Sequence, residues 1–559
     1  MTRPTGQRFL LLVNPRKRSY IDRVRLIFQE FRMTLPVVPV VPARGVKVPL
    51  LIAGTSLLLM VAFHNSYGYF RDELYYIACS DHLAFGYVDQ PPLSIALLAL
   101  WRFLFGDTLH AIRLPAALAI STTSFLTALI ARRLGGGGYS LWLSALSVVA
   151  AHTLLGSGRS FSMNPLDILF WTAALSIAVI ILAGGSPKLW LPFGLVVGLG
   201  LLNKYSVGFM CAGVAGGLLL TPRRKHLATG TFWAGALIAL LVFLPHIIWE
   251  IAKGFPTLEF MHNASQFKNA KIGLWQFVGG QFNGMNYING PLWVAGLMYF
   301  FLDREGSRFR PLAWMYVIVF IIMVAGNGKV YYLSAAYPVL LAGGAVCLEK
   351  LIAGHTMNRA RDRAWRWVRV AYPALLVVWM LIGLPFTLPV LPVEKFIGYE
   401  KLLGLMPKAE ERSSVGELPQ FYADQFGWEE MTAAVAKIYN TLTPGEQKQC
   451  VIFVRNYGEA GAIDFFGKKY GLPPALCAHN SYWMWGPGER TGNIAIILGH
   501  DRLLQDNLND LNRRYSNVEL AGATESKYSM PFENGRLLFL CRGMNTTFQI
   551  LWPGERFYI

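Results

Sequence analysis

Acidic residues are scarce where this chain is most hydrophobic. Of its 33 Asp and Glu, 14 precede Leu391, against 34 Lys and Arg in the same stretch. From Leu391 onward the count is 17 basic to 19 acidic, so the formal net charge of +18 belongs to the apolar part of the chain. Basic residues placed between apolar runs mark cytoplasmic loops of a membrane protein, and that placement argues against nucleic acid as the partner. Cysteine is also sparse. The six are scattered without CxxC or metal-ligand spacing, which excludes a thiolate zinc site. Cys211 and Cys347 fall in apolar helices as plain core residues, while Cys450, Cys477 and Cys541 leave room for one disulfide whose pairing spacing does not decide. No GxGxxG or P-loop opens a helix, so nucleotide binding has no support, and no internal repeat is visible. No apolar run of signal-peptide length occurs before Val48.

What is present is apolar. Hydrophobic residues make up 54% and aromatics 13% of 559 positions, which suits a polytopic α-helical membrane protein with room for a soluble domain. Residues 1–47 read as a basic cytoplasmic tail, with 18–31 able to lie amphipathically on anionic lipid or simply to be solvated, and with Met33 as an alternative start. Val48–Phe63 is the first span, leading outward. Pro91–Phe105 is too short to cross and reads as a re-entrant or surface-lying helix, because the next run, Ile112–Ile130, ends in Arg132-Arg133. The same rule gives Tyr139–Leu155, Asp167–Ala183, Leu189–Leu202, Tyr205–Leu220, Ala228–Trp249, Gly290–Leu302, Leu312–Ala325, Val330–Leu351 and Val370–Val390. The sum is about 11 transmembrane helices over residues 48–390, a first outer loop at 64–111, the N-terminus inside and residues 391–559 outside. That last segment has α/β rhythm: helices at Glu429–Leu442 and Glu459–Tyr470, strands at Cys450–Val454, Ile494–Leu498 and Arg536–Leu540. The Gly135–Gly138 run reads as a flexible cytoplasmic link.

This topology gathers the unusual polar residues on the outer face: Asp72, Glu73, Asp89 and Gln90 in the first outer loop, Asn164 and Asp167 at the next outer turn, Asn203-Lys204 after that, then Asn327, Lys329, Tyr331 and Tyr332. An ionisable residue in or beside hydrocarbon costs several kcal/mol unless it faces a polar cavity, so convergence on one side argues for a site. Each residue has a plainer reading. Asp72 and Glu73 are placed to cap the helix Asp72–Cys79, and Asp167 its own helix. Lys204 and Lys329 are placed to snorkel, and Tyr331-Tyr332 to sit in an interfacial belt; Asp81 and His82 read as solvated. Chemically, carboxylates and lysines at a membrane surface suit group transfer from a lipid phosphate. A carboxylate, Asp72 or Glu73, deprotonates the acceptor, while Lys204 and Lys329 stabilise the departing phosphate. Asp72, Asp89 and Asp167 offer oxygen ligands for a divalent metal ion.

Asp72-Glu73, Asp89-Gln90-Pro91-Pro92-Leu93, Asn164-Pro165-Leu166-Asp167, Leu202-Asn203-Lys204-Tyr205, Lys329-Val330-Tyr331-Tyr332 and Tyr337-Pro338 occur in this order. In this the chain resembles the membrane glycosyltransferases of the GT-C class, family 39, which includes protein O-mannosyltransferases and the bacterial aminoarabinose transferase of lipid A. The resemblance covers roughly Val48–Leu351. It implies a GT-C-like fold, a polyprenyl-phosphate sugar as donor, and transfer with inversion to an acceptor glycan, lipid or protein. It also implies residence in the bacterial inner membrane with residues 391–559 as a periplasmic domain. By the same resemblance Asp72 falls where the catalytic acid of the first loop stands, with Asp89 and Asp167 at positions linked to metal or acceptor. The aminoarabinose enzymes have Glu-Lys before the paired prolines where this chain has Asp89-Gln90, which weighs against a phosphate-bearing acceptor such as lipid A, and hence against that substrate. The competing class is a transporter or flippase of a lipid-linked or polar solute. It would place charges near the midplane of repeated halves. A catalytically dead anchor for the outer domain is a third.

Overall fold

The computed structural model describes residues 45–354, 359–407, 411, 414–499 and 504–559, so nearly all of the expected basic tail, with its amphipathic stretch, lies outside the described residues. Among the described residues, Leu109–Arg133, Met163–Leu182, Gly230–Ala252, Gly306–Ala325, Val330–Gly354 and Trp365–Thr387 are long and apolar enough to cross a membrane. Lys47–Ala62, Leu93–Phe105, Gly138–Ala150, Pro187–Asn203, Ser206–Leu219 and Tyr287–Leu302 are shorter apolar helices. All but Leu93–Phe105 coincide with expected spans. That helix has 13 residues, about 20 Å at 1.5 Å each.

Two spans differ from expectation. Tyr139–Leu155 is broken at Ala151, which is extended, into Gly138–Ala150 and His152–Ser157. The carbonyls freed at the break are taken by side chains: Asn286 donates to Ala150 O and Asn289 to Ser147 O. Val330–Leu351 begins as a 3-10 turn, Val330–Ala336, and becomes α-helical only at Tyr337, where Pro338 suits a first turn. The glycine link is also held rather than loose, since the Glu349 carboxylate accepts from Gly137 N at 2.6 Å and Tyr139 N at 3.0 Å.

The C-terminal part carries β1 (Cys450–Val454), β2 (Leu476–Cys477), β3 (Ile494–Leu498), β4 (Tyr515–Ala523) and β5 (Leu537–Met544), in the order β2-β1-β3-β5-β4. β1 is parallel to β2 and β3, and β5 is antiparallel to β3 and β4. β1 and β3 lie as expected, whereas β5 starts one residue later and runs further than the expected Arg536–Leu540. The expected helices are found at Trp428–Tyr439 and Tyr457–Phe466, the latter continuing as a 3-10 turn to Tyr470. The suggested disulfide does not form. Cys450, Cys477 and Cys541 are free and buried, and the ladder sets them opposite Ile494, Val454 and Ala495.

The helix Arg71–Asp81, in the loop between Lys47–Ala62 and Leu109–Arg133, belongs physically to this C-terminal core. Leu74, Tyr75, Ile77 and Ala78 pack in one cluster with Val435, Ile452, Ala460, Ile463 and Leu540. His82 stacks on Trp485 with ring centroids 4.1 Å apart, and Asp81 pairs with Arg102 at 2.6 Å, so neither is merely solvated.

Candidate active site

Asp72 and Glu73 are neighbours with opposite fates, because helical geometry turns successive residues about 100° apart. Glu73 is fully buried. Its carboxylate accepts from Arg113 Nε and Nη2, at 2.9 and 2.7 Å, from Phe161 N at 2.9 Å and from Phe70 N at 2.9 Å. The Phe70 bond is the cap that the sequence allowed, and the whole arrangement fastens the loop to the membrane helix Leu109–Arg133. Arg113 in turn donates to His64 O and Gly68 O. Saturated in this way, Glu73 is engaged as a clamp, and the geometry gives it no access to a substrate.

Asp72 is about one third exposed. Its Oδ1 accepts from Tyr457 Oη at 3.1 Å and from Arg71 Nε at 3.3 Å. Among the described residues Oδ2 takes no hydrogen bond. One oxygen is therefore fixed and the other is open, which is the geometry a general base requires.

Beside it stands a group of cations around a single carboxylate. Lys329 Nζ, Lys268 Nζ and Arg71 Nη1 lie 3.3, 3.8 and 3.9 Å from the oxygens of Glu411. Burial opposes the charge on Glu411, but Lys268, Arg71 and Lys329 outweigh it and hold its pKa at about 2. Burial lowers the pKa of Lys268, and Arg71 is held above its ordinary range because Asp424, Tyr457 and Asp72 outweigh its desolvation. Arg71, Lys268, Glu411, Asn456, Tyr457 and His479 line a cavity of about 360 Å³ between the membrane part and the C-terminal domain.

A second polar group abuts the first along Lys329–Tyr332. Lys204 Nζ donates to Asn164 Oδ1 at 2.7 Å, lies 3.7 Å from Asp167 Oδ2, and sits over the Tyr332 and Tyr331 rings at 5.1 and 5.7 Å. Asp167 Oδ1 accepts from Ser206 Oγ at 2.5 Å. The helix carrying Asp167 is capped instead by Ser162, whose Oγ accepts from Asn164 N, so Asp167 is not a cap. Asp89 is half-buried and accepts from Tyr75 Oη at 2.9 Å; desolvation raises its pKa to about 6. Gln90 is buried beside it, with both polar atoms of its side chain unpartnered among the described residues.

Asp72, Asp89 and Asp167 do not form one metal site. Among the described residues no three His, Cys, Asp or Glu are grouped to hold an ion, and these three acids are engaged with Tyr457 and Arg71, with Tyr75, and with Lys204 and Ser206 respectively. Asp72, Lys329, Lys204, Asn164, Asp167, Tyr331 and Tyr332 are thus gathered in two adjoining groups, with Glu73, Asp89 and Gln90 outside both. Sequence reasoning missed Arg71, Lys268, Glu411, Tyr457 and His479. Arg71 was signalled by its place beside Asp72; the others are brought in by docking of distant segments and carried no local signal.

Residues 89–249 match the model of the dolichyl-phosphate-mannose-protein mannosyltransferase family. Over 291 residues the chain is 27% identical to the lipid A galacturonosyltransferase RgtD of Rhizobium johnstonii, a match covering 50% of this chain and 61% of that protein. Over 221 residues it is 26% identical to the undecaprenyl phosphate-alpha-4-amino-4-deoxy-L-arabinose arabinosyl transferase of Pseudomonas paraeruginosa, covering 36% of this chain and 40% of that one. The chain therefore spans between two fifths and three fifths of the curated relatives it matches. The solved structure of ArnT from Cupriavidus metallidurans shares the fold at 15% identity and a TM-score of 0.55, over 88% of this chain and 97% of that one. ArnT has also been solved bound to undecaprenyl phosphate. Residues 89–249 thus carry the likeness to the mannosyltransferase family, and over 88% of its length the chain has the fold of ArnT.

Proposed function

We propose that this chain is a glycosyltransferase that moves a sugar from a polyprenyl-phosphate donor to an acceptor hydroxyl at the outer face of the membrane, with undecaprenyl phosphate as the lipid carrier. The observation that carries the reading is the three-cation group of Arg71, Lys268 and Lys329 beside the open carboxylate oxygen of Asp72. Those cations already share one anion, Glu411, which supports a site able to hold a phosphate in an environment where charge is poorly screened. In the reaction, Asp72 takes the proton of the acceptor hydroxyl and the acceptor oxygen bonds to the anomeric carbon. The bond from that carbon to the phosphate oxygen breaks, and the negative charge left on polyprenyl phosphate is stabilised by Arg71, Lys268 and Lys329. Attack opposite to the leaving group inverts the anomeric centre. Lys204, with Asn164, Asp167, Tyr331 and Tyr332, forms the wall next to this group and orients it.

The curated relatives support the donor class by name, one being an undecaprenyl-phosphate-sugar transferase. The other acts by name on lipid A, so lipid A is the first acceptor to test, against the expectation drawn from Gln90 standing in place of a lysine. The domain reading is that residues 48–390 form the membrane catalytic part, closed from outside by 391–559.

The test is a panel of undecaprenyl-phosphate monosaccharides, the 4-amino-4-deoxy-L-arabinose donor among them, incubated with the reconstituted protein and lipid A, reading release of undecaprenyl phosphate. Asp72→Asn keeps the size of the side chain and loses its basicity. Transfer is expected to fall about 100-fold to 10,000-fold with donor binding retained. No release from any donor refutes the function; release at near wild-type rate by Asp72→Asn refutes the base.

A further inference from the structure

Tyr457 stands on the C-terminal domain, at the first position of the helix Tyr457–Phe466, but its hydroxyl reaches the first outer loop. The turn before it is held twice: Asn456 Oδ1 accepts from Glu459 N at 3.0 Å, and the Glu459 carboxylate accepts from Asn456 N and Arg455 N. The ring is fixed as well. It lies 4.6 Å from the Tyr75 ring and 4.8 Å from His479, with Arg71 and Lys268 over it at 5.5 and 5.8 Å. Phenylalanine would serve all of these contacts. What phenylalanine lacks is the hydroxyl, and among the described residues that hydroxyl has one partner, Asp72 Oδ1 at 3.1 Å.

We propose that Tyr457 is a positioning residue: by donating to one oxygen of Asp72 it aims the other at the acceptor, so the C-terminal domain completes the active site rather than only covering it. The inference rests on the reading of Asp72 as the base. Arg71 Nε on the same oxygen sets the carboxylate plane together with Tyr457, and among the described residues Oδ2 is left without a hydrogen bond. Burial raises the pKa of Tyr457 well above that of free tyrosine, so the phenol keeps the proton it donates throughout the working range.

Tyr457→Phe preserves the ring and removes the O–H. In the reconstituted enzyme, with the undecaprenyl-phosphate sugar that the panel identifies as donor, kcat is expected to fall about tenfold, a barrier change of about 1.4 kcal/mol, with KM for the donor unchanged. A hydrogen bond to the charged form favours that form, so its loss should move the acid limb of the kcat/KM profile to higher pH. A contact that only docks the two domains would lower the Tm and leave the acid limb in place. Asp72→Asn is assayed alongside. If Asp72→Asn is inactive while Tyr457→Phe keeps the wild-type kcat and pH profile, the positioning role is overturned and the base stands. If Asp72→Asn turns over normally, the base reading fails and this inference fails with it.

Discussion

Two adjacent carboxylates give the sharpest separation of roles at the scale of single residues. Removing the charge of Glu73 would leave Arg113, which is 1% exposed, without its counter-ion. Breaking a buried pair by removing one partner costs about 3 to 5 kcal/mol. Glu73→Gln is therefore expected to lower the Tm sharply or prevent accumulation of folded protein, whereas Asp72→Asn leaves the Tm near wild type; thermal unfolding in detergent measures both. The sequence placed both acids on one loop, but it could not separate them, because the partner that decides is Arg113, forty positions away on another helix. Lys204 and Lys329 were legible for the same reason, as lysines at helix ends on one face. Their neighbours Lys268 and Glu411 were not, since neither stands in a local pattern that distinguishes it from a solvated charge. Asp89 adds a pH signature. Its folded pKa of about 6 lies above its ordinary 3.8, so the folded state holds the proton more tightly and stability falls as pH rises through that window. A tenfold difference in proton affinity between the folded and unfolded states corresponds to about 1.4 kcal/mol, and Asp89→Asn is expected to flatten the Tm profile across the window.

Between elements, the decisive contact is the crossing of two helices, Arg71–Asp81 and Tyr457–Phe466. A Cβ on Gly461 would stand 2.7 Å from the Leu74 carbonyl carbon, so the two backbones meet at a distance only glycine allows. Gly461→Leu forces them apart. Overpacking of this kind costs about 1 to 3 kcal/mol, and because the same crossing carries Tyr457 to Asp72, transfer should fall further than the Tm alone accounts for. Wild-type transfer despite a lowered Tm would show that the crossing has no part in building the site. Nothing in the chain signalled this crossing beforehand, although both helices were expected. Periodicity reports which residues are apolar, not which other element they meet. The missed strand β4 has a related cause: it is an edge strand, mostly exposed, with the sequence YSNVELAGA, which lacks the continuous apolar run that made β1 and β3 visible. The spans were legible because a bilayer demands length and apolarity from each one separately, without reference to its neighbours.

For the whole molecule, the proposed chemistry depends on which side of the membrane the two adjoining groups face. The helix Arg71–Asp81 shares a core with the C-terminal domain, so the first outer loop and residues 414–559 must lie on the same side. The polyprenyl donor reading needs that side to be the outer one. The sequence expectation for that side rests on Arg132-Arg133 and Arg223-Arg224-Lys225, which the positive-inside rule assigns to the cytoplasm. Asp81 and Asn440 are both exposed, one on the loop and one on the C-terminal domain. The native cysteines are buried or half-buried, so the parent chain supplies a low background for a membrane-impermeant maleimide. In intact cells Asp81→Cys and Asn440→Cys are both expected to label, and to label together. Labelling of both only after permeabilisation would invert the topology and remove the donor site from the outer face. Labelling of one without the other would contradict the shared core itself, and with it the placement of Tyr457 against Asp72.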